Sequence, residues 1–157
     1  MTCDNTQIAS AASPVTSKAA GDVPFDAGNI ESVRAHFAHD VFATQMGCRI
    51  VLAEPNHAVC ELDITPGILN ANGTVMGGAL FSLGDFALAV ASNLDGNPSV
   101  SLDVNIRFLT VAKGSRLIAT CTAERAGRTA GFYSVDIEDD TGRLVAVLNA
   151  TMNRKGK

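Results

Sequence analysis

A chain of 157 residues, 46% hydrophobic and 18% charged, is long enough to bury one sizeable core and has a globular balance. A net charge of −4 excludes a general electrostatic attraction to nucleic acid. No apolar run reaches ~18 residues without a charge, so no membrane span is expected.

The charge is unevenly spread. Residues 1–106 carry 3 basic and 11 acidic side chains, whereas 107–128 carry Arg107, Lys113, Arg116, Arg125 and Arg128 against Glu124 alone. Such a patch is either a solvated hairpin face or a landing place for an anionic ligand. Cysteines stand at 3, 48, 60 and 121 with no C-x-x-C pair, which argues against zinc-ribbon and thioredoxin chemistry. Three of them lie in apolar runs and read as reduced core residues, which points to the cytoplasm.

Residues 1–26 are small and polar, with Pro14 and Pro24, and read as a disordered tail. They lack the basic and apolar regions of a secretory signal. The remainder, 27–157, shows no internal repeat and no linker, and is expected to form one domain. In 29–45, Ile30, Val33, Phe37, Val41 and Phe42 recur at helical spacing, with Asn29 at the cap position. "CRIVLAE" and "HAVCELDIT" alternate and are split by Pro55-Asn56, which predicts a hairpin. A loop follows with Pro66, Gly67, Asn70, Asn72 and Gly73. A helix is predicted over 77–94, closed by "DGNP". Four strands come last: "SVSLDVNIRFL", with Val100, Leu102, Val104, Ile106 and Phe108 on one face, then "SRLIATCTAERA", "AGFYSVDIED" and "RLVAVLNATMN". Strands segregated around one long helix predict an α+β domain, an antiparallel sheet packed on that helix.

Between Gly77 and Ala91 the helix is apolar or glycine except at Ser82 and Asp85. A helix hydrophobic all round belongs in a core, and Gly84 within it implies close packing. A lone buried carboxylate is costly. Asp85 therefore either bonds Ser82 or a backbone group, or serves as a general base or nucleophile in an apolar pocket. Gly77-Gly78 in the first turn either permits close packing or presents free N–H groups to a carbonyl. Eight residues separate Gly77 from Asp85, about 12 Å of helix, so one helix cannot bring both to one carbonyl. Two antiparallel copies can, and the small-residue surface suits a two-fold dimer with shared sites.

The order helix, two strands, "NANGTVMGGALFSLGDFALAVASN", four strands, with "VNIRFLTVAKGSRL" and "AGRTAGFYSVDIEDDTGRLVA", resembles the hotdog-fold thioesterases. The similarity spans about 30–155 and is greatest to the phenylacetic acid degradation (PaaI-like) acyl-CoA thioesterases. It implies a hotdog fold with the sheet wrapped around the long helix, and a homodimer or dimer of dimers. It also implies an acyl-CoA substrate held at the dimer interface, with no metal and no cofactor beyond the CoA of the substrate. By resemblance, Asp85 is the attacking or water-activating carboxylate, Gly77 donates its N–H to the thioester carbonyl, and Asn70 lies near the reacting atoms. The segment from Arg107 to Thr129, with Arg125 and Arg128, matches the region that contacts the CoA phosphates and pantetheine. Gly78 and Ser82 are expected to contact the substrate. Met76 stands where many members have histidine, and it can neither donate a hydrogen bond nor shuttle a proton. Phe81, Phe86, Met76 and Phe108 suit an aryl or a medium-chain acyl group.

These residues predict hydrolysis of an acyl-CoA thioester. Two other readings share the fold. A hydratase or dehydratase pairs histidine with a carboxylate, but His36, His39 and His57 lie outside the central motif. A non-catalytic acyl-CoA sensor would carry an effector module, and the tail is too short for a helix-turn-helix.

Overall fold

The structure, a computed structural model, describes residues 25–155. The tail expected over 1–26 lies, for residues 1–24, outside the described residues. Phe25 packs against the first helix, its ring stacked on His36 at 4.3 Å.

Helix α1 (Ile30–Phe37) begins as expected: the Asn29 side chain accepts from the Glu31 and Ser32 N–H groups. The single helix predicted over 29–45 is two. The chain breaks at Ala38–Asp40 through short bonds from His39 N–H to the His36 carbonyl and from Asp40 N–H to the Phe37 carbonyl. Helix α2 (Val41–Met46) then starts from Asp40 and ends on Gly47 in the left-handed region, φ 105°. Aspartate favours a helix start over a helix interior, which is the physical reason for the break. The break also turns Ala43 inward and leaves Val41 and Phe42 55% and 74% exposed, where a continuous stripe would have buried them.

Strands β1 (Arg49–Glu54) and β2 (His57–Asp63) form the expected hairpin, with Asn56 at φ 66° in its turn. A one-turn 3-10 helix at Pro66–Ile68 opens the following loop. Helix α3 (Gly77–Asn93) is as predicted. Strands β3 (Ser99–Phe108), β4 (Arg116–Ala126), β5 (Ala130–Asp139) and β6 (Leu144–Arg154) complete one antiparallel sheet in the order β1-β2-β4-β5-β6-β3. The long helix packed on a six-stranded antiparallel sheet is the α+β arrangement, a hotdog, expected from the sequence.

Strands β2, β4, β5 and β6 alternate buried and open residues, and their buried sets face α3. Leu83, Ala87, Leu88 and Ala91 of the helix are fully enclosed against them. At Gly84 an added Cβ would lie 2.7 Å from Leu148 Cδ2, so glycine there lets helix and sheet meet closely. Cys48, Cys60 and Cys121 are free and buried. Burial pushes the Cys48 thiol up to about 11 and the Cys121 thiol up to about 12, so they behave as small apolar core residues.

Edge strand β3 departs from its predicted one-sided pattern. A register shift between Ser101 and Asp103 breaks the alternation. Val104 and Ile106 pack on the core, while Val100, Leu102 and Phe108 stay 48–67% exposed. Among the described residues no helix is long and apolar enough to cross a membrane.

Candidate active site

The sheet covers most of α3 and leaves one stripe partly open: Gly78, Phe81, Ser82, Asp85 and Ala89. These positions recur at three and four residues, so they share one helix face. Helix α2 covers part of that stripe. Between the two helices lies a cleft of about 360 Å³, with Asp85, Phe81, Phe86 and Ala89 on one wall and Asp40, Val41 and Phe42 on the other. Phe86 is 3% exposed and meets the Phe37 ring edge to face at 6.1 Å, which fixes the floor.

The bond between Ser82 and Asp85, one of the two readings open to the sequence, does not form. Ser82 Oγ donates instead to the Gly78 carbonyl, 2.8 Å away. No described residue hydrogen-bonds or ion-pairs with Asp85. Burial raises its proton affinity above the ordinary carboxylate value, and the negative charge of Asp40 adds to the effect. A half-buried, unpartnered carboxylate of raised basicity is suited to take a proton or attack a carbonyl.

Gly77 sits in a different cleft, of about 330 Å³, with Leu80, Phe108, Leu109, Val111 and Val145. Its missing side chain matters: a Cβ there would lie 3.0 Å from Phe108 Cζ. The N-cap of α3 is Met76, whose 56% exposed side chain makes no capping bond. The Ala79 and Leu80 N–H groups donate back to the Met76 carbonyl. No described residue accepts from the N–H of Gly77 or Gly78. Two oriented donors at the positive end of a seventeen-residue helix are therefore available to an anion or a polarised carbonyl.

Asn70 organises the loop ahead of α3. Its Oδ1 accepts from the Asn72 and Thr74 N–H groups at 2.9 and 3.2 Å, and its Nδ2 donates to Thr74 Oγ1 at 2.9 Å. Met76 N–H donates to the Ile68 carbonyl, which ties the loop to the helix start.

The structure thus brings Asp85, Phe81, Ser82 and Phe86 together, and separately gathers Gly77 with Phe108. The basic residues join neither group. Arg107 is exposed on β3, opposite Val147. Arg125, Arg128 and Thr129 are exposed at the β4–β5 hairpin, beyond the C-terminal end of α3, where Asn97 Nδ2 donates to the Arg128 carbonyl at 3.2 Å. Sequence reasoning missed Asp40, Val41 and Phe42 as cleft residues. The available signal was Asp40 itself, a helix-start residue inside a supposed helix.

Residues 72–146 match the thioesterase superfamily. A putative esterase of Deinococcus radiodurans is 36% identical over 74% of this chain and 80% of its own. The acyl-coenzyme A thioesterase PaaI of Escherichia coli is 30% identical over 80% of this chain and 91% of its own. The chain belongs to the PaaI-like branch of the thioesterase superfamily. It is a thioester hydrolase. The E. coli PaaI structure superimposes with a TM-score of 0.71 at 28% identity, covering 82% of this chain and 97% of that one. A hypothetical thioesterase of Streptococcus pneumoniae, solved with coenzyme A, superimposes with a TM-score of 0.72 at 27% identity, over 78% of this chain and 97% of that one.

Proposed function

We propose that this thioesterase hydrolyses the thioester of an aryl- or medium-chain acyl-CoA at sites shared across a two-fold dimer. Asp85 of one protomer and the Gly77 N–H of the other act on the same carbonyl. The observation that carries the reading is the pairing of two unspent resources on one helix. Asp85 has no partner among the described residues, and neither do the Gly77 and Gly78 N–H groups. About 12 Å of helix separates them. Antiparallel contact of two open stripes would bring each carboxylate to the other copy's helix start. The apolar edge of β3, with Val100 and Leu102 exposed, favours continuation of the sheet into a second copy.

In the reaction the Gly77 N–H polarises the carbonyl and holds the developing oxyanion. Asp85 either takes a proton from the attacking water or attacks the carbonyl itself. With water as nucleophile, its oxygen bonds the carbonyl carbon as Asp85 takes its proton. The oxyanion then collapses with loss of the C–S bond, and Asp85 passes the proton to the thiolate, which leaves as CoA. With Asp85 as nucleophile, its oxygen displaces the thiolate to give a mixed anhydride. Water hydrolyses the anhydride to the free acid and regenerated Asp85, a water proton going to the thiolate. Phe81 and Phe86 receive the acyl group, and Asn70 holds the loop that delivers Met76 and Gly77. The coenzyme A in the Streptococcus pneumoniae structure supports CoA as the leaving group. Arg107, Arg125 and Arg128 offer the positive charge its phosphates need.

The test is thiol release from acyl-CoAs by Asp85→Asn. Asparagine keeps the shape and loses the base. Turnover should fall by about 10²-fold or more while the protein stays folded and keeps its oligomeric state. Wild-type turnover in the variant would overturn the assignment.

A further inference from the structure

The cleft that holds Asp85 contains a second carboxylate. Asp40 stands on the opposite wall, at the N-cap of α2. An aspartate there usually bonds the free N–H groups of the helix start. Asp40 does not: its side chain makes no capping bond, and it has no hydrogen-bond partner among the described residues. Its carboxylate is left for the cleft.

We propose that Asp40 is a positioning residue of the active site, acting across the cleft on Asp85, the carboxylate assigned to the reaction above. The break between α1 and α2 is what places it there. A continuous helix would have carried residue 40 past the cleft as one more helical position. With the break, the chain turns and α2 restarts beside α3.

The electrostatics agree with the geometry. Among the described residues Asp40 is the charged group that bears on Asp85, and it raises the proton affinity that burial has already raised. Asp40 itself faces His36 on α1 and His39 in the turn. Burial, the larger effect, raises its proton affinity above the ordinary carboxylate value, and the two imidazoles oppose that rise. The order is then two imidazoles, the Asp40 carboxylate, and the reacting carboxylate. A carboxylate facing another is more basic when ionised, and a more basic carboxylate is a better proton acceptor.

The signature is a pH profile, which loss of structure cannot imitate. Asp40→Asn keeps an equally good helix start and removes the charge; Asp40→Ser does the same with a smaller side chain. The assay is kcat/KM for thiol release across the acid limb, with phenylacetyl-CoA or octanoyl-CoA, whichever wild type hydrolyses faster. In both variants the acid limb should move to lower pH, because Asp85 ionises more readily. On the neutral plateau kcat should fall about three- to tenfold, because the base is weaker, well short of the loss in Asp85→Asn. Asp40→Glu keeps the charge and should return the limb toward its wild-type position. A limb that stays in place, with Asp85→Asn inactive, overturns the role of Asp40 alone. A uniform loss at every pH also overturns it, since that is the mark of a structural residue. Wild-type turnover in Asp85→Asn overturns the reading underneath.

Discussion

Asp139→Asn should destabilise the protein and loosen the wall of the Gly77 cleft. Asp139 is 1% exposed at the end of β5. One carboxylate oxygen accepts from the Lys113 and Gly114 N–H groups at 2.8 and 3.2 Å. The other accepts from the Thr141 and Arg143 N–H groups at 3.0 and 3.3 Å and from Thr141 Oγ1 at 2.5 Å. Every partner is a donor, so only a group with two acceptor oxygens fits. An asparagine keeps one oxygen for one set and turns NH2 toward the other, leaving at least two N–H groups facing a donor. Each buried unsatisfied donor costs about 1–3 kcal/mol, so the loss is about 2–5 kcal/mol. For a domain of this size that is a fall in Tm of about 5–15 °C. The pH dependence is determined. These bonds, the Lys113 N–H first, hold the carboxyl far below its ordinary range. The stabilisation is therefore complete above the ordinary carboxylate pKa of ~3.9 and is lost as pH falls below it toward the folded value. Thermal melts of both proteins at pH 7 and pH 3 should show a large gap that narrows in acid. A gap under about 2 °C at pH 7 would refute the reasoning. The strap from Leu109 to Ala112, just before Lys113, lines the Gly77 cleft, so KM should rise as well.

Gly77→Ala places a methyl 3.0 Å from Phe108 Cζ, on the N–H that would meet the carbonyl. Phe108 is 55% exposed and free to yield, so the melting temperature should hold while kcat/KM falls by about 10²-fold, read on the same samples. Unchanged kcat/KM would return Gly77 to a packing role. Neutralising Arg125 and Arg128 together, as Arg125→Gln and Arg128→Gln, should raise KM for acyl-CoA with little change in kcat, because phosphate contacts contribute uniform binding. The effect should shrink as salt is added, since both groups are exposed. A KM unchanged at low ionic strength would leave them as a solvated hairpin face.

The elements read most securely from the sequence are those whose local and tertiary preferences agree. Asn29 caps a helix, Pro55-Asn56 turns a hairpin, and the apolar 77–93 stretch is a core helix because nothing local competes. Gly84 was legible for the same reason: a glycine in such a helix needs a close neighbour, and Leu148 is that neighbour. The reading failed where apolar spacing outweighed one polar residue. Val41 and Phe42 extend the stripe of α1 on paper, yet Asp40 stops the helix and turns them outward. On β3 the strand was read correctly but its one-sided alternation was not, because no glycine or proline marks the shift between Ser101 and Asp103. Asp139 was missed altogether. Two of its partners, Lys113 and Gly114, lie about 25 residues away on another loop, and spacing carries no trace of a bond made by tertiary approach.

A carboxylate survives on the most apolar helix of the fold because the sheet takes only part of that helix. Gly84 and Asp85 are consecutive, about 100° apart around the axis. The glycine faces Leu148 and Ile137, where the sheet comes closest; the aspartate faces away from them. The sheet therefore never has to desolvate the charge. Facing it across the cleft is α2, a six-residue helix held by the left-handed Gly47 at one end and the Asp40 turn at the other. The environment of Asp85 is in this way separated from the stability of the core. Substitutions in α2 should alter the basicity of the carboxylate and the shape of the cleft beside it while leaving the helix–sheet packing alone. Substitutions at Gly84 or Leu148 should do the reverse.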